Sequence, residues 1–405
     1  MYLSRIFCVL LLEAAVCIAT FAQQAIDPKV KQKTFDQVWT IINSKFYDAN
    51  FNGVDWKAIR VKYARQVDQT NTESELYEVL TRMLEELKVS HVGILTPADI
   101  AKMGKPAATT GLGLRTVENQ ITVTRILPDS SAEKEGLKIG FVIKSIDGTE
   151  VKTLDEALPK LAGDAGTTVR ITYLDAADKE HSATLTRNAL SQSDSGEIGK
   201  GLKSYALLDS KRLDNNIGYL HFTSFIEFLA PRIVSTIRSM KDAPGIVVDL
   251  RGNGGGDDSV ALTMANVLFD RETQLMITKT RSGDDLYYKA KPEKYPYLGT
   301  VVILVNETSG SASEQFAAGM QASGRAYVIG RTTEGEDLDA DLAKLATGAY
   351  LLYPYGQPRT PKGVVIEGRG VIPNKQVDLT RAGLLAGRDA QVDAAIEYIR
   401  STKSN

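Results

Sequence analysis

The sequence predicts a mixed α+β protein. An N-terminal helical subdomain is followed by an inserted β-rich segment and then by a C-terminal region of sheet packed with helices. Three observations predict this. Two amphipathic helical patterns lie between Lys29 and Leu95, and short strand-like runs fill Gly111 to Arg187. Beyond them, apolar runs bounded by glycine alternate with helical patterns, the signature of a sheet with helices on its faces. The chain of 405 residues is too long for one ordinary core and calls for about two to three domains.

The first segment, MYLSRIFCVLLLEAAVCIATFAQQA, has one basic residue, Arg5. An apolar run broken by Glu13 follows, then the small-x-small ending Thr20-Phe21-Ala22. This has the form of a secretory signal peptide over residues 1–22, which predicts a secreted or periplasmic protein. An uncleaved anchor helix is the alternative, against which the run is short and interrupted. No other segment is apolar enough to span a bilayer, so no stable membrane span is expected after cleavage. The two cysteines, Cys8 and Cys17, both fall in this segment. The mature chain would then hold no disulfide, no cysteine nucleophile and no thiolate metal site. A net charge of −2 argues against nucleic acid as a partner.

Residues 29–100 form the expected helical subdomain. FDQVWTIINSKFYD places Phe35, Val38, Trp39, Ile42 and Phe46 on one face, and ESELYEVLTRMLEELKV does the same with Leu76, Val79, Leu80, Met83, Leu84 and Leu87. SHVGILTP breaks the helix and starts an extended piece, and AKMGKPAATTG reads as a linker. Over residues 106–190, ITVTRIL, FVIKSIDG, TVRITYL and HSATLTR read as strands around one helical insert, TLDEALPKLAG. This segment resembles a PDZ domain, with GLGL (Gly111, Leu112, Gly113, Leu114) as its carboxylate-binding loop and DSSAEKEGLKIG and IDGTEV in their expected places. A glycine-rich turn can aim backbone N–H groups at a peptide's terminal carboxylate while the adjacent strand edge takes the peptide as an extra strand. By itself, GLGL is also compatible with an ordinary hairpin.

After a polar connector, residues 200–402 alternate strand and helix. IGYLHFTSF, GIVVDLRGNGGG, TVVILVN and AYVIG read as strands, and APRIVSTIRSM, DSVALTMANVLF, SEQFAAGMQAS and the C-terminal GRDAQVDAAIEYIRS as helices. Two strand ends carry candidate chemistry. Consecutive glycines after a buried strand leave backbone N–H groups free, which suits an oxyanion site. The sequence lacks the lysine and hydroxyl residue a phosphate loop needs there. At the second end Ser309, Ser311 and Ser313 precede a helix with Glu314 in its first turn. Each can be an N-cap; Ser311 can also be a nucleophile, with the Ala312 N–H turned toward an oxyanion.

Together IGYLHFTSF, DLRGNGGG, SASEQFAAGMQASGRAYVIG and VIEGRGVIPN resemble the tail-specific serine peptidases, which include carboxyl-terminal processing peptidases and the tricorn core protease. The resemblance implies a ClpP/crotonase-like core, with Ser311 as nucleophile and Gly256 and Ala312 as the oxyanion hole. One position departs from the pattern. Where carboxyl-terminal processing peptidases carry a catalytic lysine this chain has Glu336, and the nearest lysine is Lys344. A carboxylate of pKa about 4.3 is a poor base for a serine hydroxyl.

The tricorn branch uses histidine, and of His91, His181 and His221 the Ser90-His91 pair matches its place, with Glu367 matching the orienting carboxylate. Without the resemblance, His91 reads as a helix-end histidine satisfied by the backbone. Two functions follow: an endopeptidase acting on protein or peptide C-termini without metal or organic cofactor, or an inactive PDZ-based adaptor in the cell envelope in which Glu336 marks the loss of chemistry.

Overall fold

The computed structural model describes residues 25–103, 108–191, 194–197 and 203–402. The expected signal peptide lies outside the described residues. Three helices open the described chain: Pro28–Lys45, Trp56–Asp68 and Glu73–Glu85. The third starts at a reciprocal cap: Thr72 accepts from the Glu75 N–H, and the Glu75 carboxylate accepts from the Asn71 N–H. The apolar faces read from the sequence are buried, apart from the half-buried Trp39. They do not close a core alone. Leu345, Ala349 and Leu351, far along the chain, complete it.

Those partners lie on a strand, and in the turn leading into it, of a sheet that the sequence patterns did not indicate. Strand Tyr350–Arg359 pairs antiparallel with Gly93–Leu95, with Asp339–Lys344 and with Thr273–Thr280, which in turn pairs with Leu286–Ala290. The extended piece expected after the third helix is the first of these strands. Through it the residues following that helix are held in register against the C-terminal half of the chain.

The main sheet has six strands in the order Leu208–Arg212, Gly218–Phe222, Gly245–Asp249, Thr300–Val305, Ala326–Gly330 and Lys375–Gln376. The first pair is antiparallel and the rest are parallel. Strands Gly218–Phe222 and Gly245–Asp249 are buried along their whole length, as the central strands of a sheet covered on both faces must be. Helices Ala230–Ser239, Asp258–Asn266 and Ala312–Ala322 build the core on one face, and Ala390–Thr402 packs on the other.

Between the two halves sits a separate sheet, Leu112–Val117, Gln120–Ile126, Val142–Ile146, Thr168–Leu174 and Glu180–Thr186, with helix Leu154–Leu161. Strand Leu112–Val117 is its edge. Two groups dock this unit on the rest. Arg115, on the edge strand, reaches Gln391 and lies 3.8 Å from Glu307; burial lowers its pKa to about 10. Arg381 donates to the carbonyls of Gly140 and Asp175 and to Asp178.

Candidate active site

Strands Gly245–Asp249 and Thr300–Val305 are parallel neighbours, so the segments that follow them leave the same edge of the sheet. Hydroxyls and amides stitch these two turns together. Ser309 Oγ donates to the Leu250 carbonyl at 2.7 Å and Ser313 Oγ to the Asn253 carbonyl at 2.8 Å. The Gly310 N–H also donates to Asn253 O, and the Gly252 N–H to Asn306 Oδ1. Two of the three serines are thus occupied in buried structural bonds. Ser311 is the half-buried one between them.

The backbone of Ser311 sits at φ 50°, ψ −123°, a conformation that L-residues adopt only when their surroundings impose it. Gly255 presses against this turn. A Cβ there would stand 2.6 Å from Ser311 Cβ, 2.8 Å from Gly310 O and 2.9 Å from Ala312 N, and its φ of +101° requires glycine independently. The Ser311 N–H is held by the Glu336 carbonyl and by Glu314 Oε2, at 2.9 and 3.2 Å. Ala312 opens the helix, so its N–H has no intrahelical acceptor. Gly256 bridges Phe225 through its neighbours: Phe225 N–H donates to Gly255 O and Asp257 N–H to Phe225 O, which turns the Gly256 N–H away from Phe225.

Ser90, His91 and Glu367 come together across 277 positions of sequence. Glu367 Oε1 accepts from the Ser90 N–H at 2.9 Å and Oε2 from Ser90 Oγ at 2.8 Å; Ser90 Oγ lies 2.7 Å from His91 Nδ1. An ionised carboxylate only accepts, so the single Ser90 hydroxyl proton goes to Glu367. Ser90 Oγ must then accept from His91 Nδ1–H, which leaves Nε2 as the basic nitrogen. His91 itself has a positive φ of 55°. The loop carrying Glu336 links this trio to Ser311. The Asp337 N–H donates to Glu367 Oε2 at 2.7 Å, one residue after the carbonyl that holds the Ser311 N–H.

Burial pushes the His91 imidazole below its ordinary value, while the charges of Glu367, Glu336 and Asp339 pull the other way without reversing it. The base candidate is therefore neutral at neutral pH. Asp337 is wholly buried; desolvation, with Glu314, Asp258 and Asp339 nearby, pushes its carboxyl well above the usual range.

The other candidates separate cleanly. Glu336 is exposed, and its carbonyl, not its carboxylate, touches Ser311. Lys344 ends the strand Asp339–Lys344 opposite Tyr350, one residue before Leu345, which packs into the core of the N-terminal helices. His221 is buried in strand Gly218–Phe222, its pKa lowered by burial to about 4. His181 bonds Asp175 at 2.7 Å and stacks on Tyr173. Of Gly111, Leu112, Gly113 and Leu114, only Gly111 lies in the turn. Its φ is +90° and a Cβ would meet Ser130 at 2.1 Å, whereas Leu112, Gly113 and Leu114 already belong to the edge strand. Sequence reasoning treated Glu314 only as a cap and did not single out Gly255, Thr333 or the Asp337 N–H; the Ser311-x-x-Glu314 spacing was the available signal.

A parallel sheet with a glycine turn packed on a strained serine, joined to an inserted peptide-binding-type β unit, defines a peptidase fold. The description "Peptidase family S41" matches residues 216–377, "PDZ domain" residues 122–175 and "Tricorn protease C1 domain" residues 27–85. Among curated relatives, the carboxyl-terminal-processing protease of Synechocystis sp. is 27% identical over 91% of this chain and 87% of its own length. Tricorn protease homolog 1 of Streptomyces coelicolor is 26% identical over 92% of this chain but 35% of its own. The solved photosystem II D1 C-terminal processing protease superposes with a TM-score of 0.61 over 89% of this chain and 98% of that one, at 24% identity. The chain thus carries a peptidase family S41 domain, a PDZ domain and a tricorn protease C1 domain, and it is similar along most of its length to carboxyl-terminal processing proteases. No helix among the described residues is long and apolar enough to cross a membrane.

Proposed function

We propose that this chain is a secreted or periplasmic serine endopeptidase that captures protein or peptide C-termini on its PDZ domain and cleaves upstream of them. Ser311 attacks the scissile carbonyl while His91 Nε2 takes its proton. The Gly256 and Ala312 N–H groups receive the oxyanion as the carbonyl carbon becomes tetrahedral. The intermediate collapses, His91 returns the proton to the leaving amine, and water attacks the acyl-serine by the same route in reverse. Ser90 and Glu367 fix the imidazole tautomer. The edge strand Leu112–Val117 takes the peptide, and half-buried Leu112 with buried Leu114 favours apolar terminal residues.

The observation that carries this reading is the Glu367–Ser90–His91 hydrogen-bonded chain, tied to the serine turn by consecutive residues Glu336 and Asp337. Its test is cleavage of peptides with apolar C-termini by the wild type, Ser311→Ala and His91→Ala. Activity in the wild type alone supports it. Full activity in His91→Ala removes His91 as base, and three inert proteins that still bind the peptides favour the adaptor instead.

A further inference from the structure

Glu314 is buried, with none of its surface exposed, in the first turn of the helix behind Ser311. Its two oxygens meet four donors. Oε1 accepts from Thr333 Oγ1 and, at 2.8 Å, from the Gly335 N–H; Oε2 accepts from the Glu336 N–H at 3.0 Å and the Ser311 N–H at 3.2 Å. Thr333 Oγ1 accepts in turn from the Val371 N–H, so its own hydroxyl proton is committed to Glu314. Only an ionised carboxylate matches this ring, since a carboxyl proton or an amide NH2 would face N–H or O–H donors.

The ring spans two pieces of chain. One is the nucleophile turn. The other, Thr333 to Asp337, supplies the carbonyl that holds the Ser311 N–H and the amide that holds Glu367. We infer that Glu314 is a positioning residue of the active site: its carboxylate fixes the serine turn and the loop behind Glu367 in one register, so that nucleophile and base meet. This rests on the reading of Ser311 and His91 given above.

Burial raises the Glu314 pKa to about 6 even against its four donors. No lysine or arginine pairs with it among the described residues. Asp337 stands beside it with Asp258 and Asp339 behind, and Glu334 and Glu336 ride the loop. Burial pushes Asp337 and Asp258 well above the carboxylate range and raises Glu334 as well; of the acids here, Glu314 is the one whose carboxylate holds the Ser311 N–H.

The test uses a fluorophosphonate that labels nucleophilic serines, followed across pH for the limiting rate and the half-saturating concentration. The wild type should lose labelling with a slope approaching two protons at low pH. Glu314→Gln should show a slope of one, a limiting rate about 10- to 100-fold lower and a half-saturating concentration changed less than about twofold. A role in folding alone would lower the melting temperature and leave the slope at two.

Should Glu314→Gln fail to fold, Thr333→Val removes one donor, which raises the Glu314 pKa and moves the acid limb to higher pH. The inference is overturned if Glu314→Gln keeps the wild-type rate and slope, or if Thr333→Val leaves the limb in place. Labelling that survives in Ser311→Ala instead defeats the nucleophile assignment, an outcome independent of the Glu314 variants.

Discussion

Replacing Gly255 by alanine probes how the glycine turn shapes Ser311, the proposed nucleophile. The new methyl would enter within 3 Å of three atoms of the serine turn: Ser311 Cβ at 2.6 Å, Gly310 O at 2.8 Å and Ala312 N at 2.9 Å. Two of these are backbone atoms and cannot swing aside. The backbone at φ +101° adds about 1–3 kcal/mol of strain for a non-glycine residue. Overpacking adds roughly 1–3 kcal/mol more, a total of about 2–6 kcal/mol. The serine turn gives way first, because it already holds a strained conformation. A shift of about 1 Å there is worth roughly 100-fold in rate.

Fluorophosphonate labelling should therefore fall about 100-fold or more, with a melting temperature lower by about 4–20 °C. Gly252→Ala is the matched control. It has a positive φ of +77° but nothing within 4 Å of the added methyl, so only about 1 kcal/mol and little labelling should be lost. If Gly255→Ala labels and melts like Gly252→Ala, the packing of the glycine turn on Ser311 is wrong.

Four further outcomes follow from the same geometry. Because burial holds the His91 pKa below its usual value, the neutral, active imidazole persists below about pH 6.5 and is lost only as pH falls through the lowered pKa. A base limb in its place would contradict the assignment. Glu367→Gln or Ser90→Ala removes the acceptor chain on Nδ1 and should lower the limiting rate by roughly 100-fold or more with the half-saturating concentration changed less than about twofold; equal rates would mean the trio is structural. Arg381→Ala deletes contacts to Gly140, Asp175 and Asp178, about 2–4 kcal/mol of docking, and hydrogen exchange in Arg381–Leu385 should quicken at least about tenfold. For His221 the unfolded chain binds the proton first, so stability is intact above about pH 6.5 and falls by roughly 3 kcal/mol toward pH 4. Urea midpoints of His221→Phe should lack that share of the acid loss.

Much of this was legible in the sequence because it rests on period. The helical faces around Phe35 and Leu80 repeat at helical spacing, and the four buried strands of the main sheet are plain apolar runs, so side-chain pattern and fold agree there. The second sheet was not legible. Its central strand, Tyr350–Arg359, contains Pro354, Gly356 and Pro358, residues that argue against a strand; it forms because three other strands pair with it, one through a bulge. The site divides the same way. Strand, glycine turn, serine and helix are local and readable. Glu367 lies 277 positions from Ser90 and its neighbour His91, and only the family resemblance joined them before the fold did. The positive φ of Ser311 and His91, and the closing of Glu314 on the loop after Thr333, depend on tertiary contacts that no local pattern encodes.

The central claim is that Ser311 is the nucleophile and His91 its base. A crystal structure of the fluorophosphonate adduct measures this directly. The account predicts phosphorus on Ser311 Oγ, His91 Nε2 within about 2.6–3.2 Å of that oxygen, and the phosphoryl oxygen between the Gly256 and Ala312 N–H groups. An adduct on another residue, or a His91 ring turned away from Ser311 with a different base at hydrogen-bond distance, would contradict it.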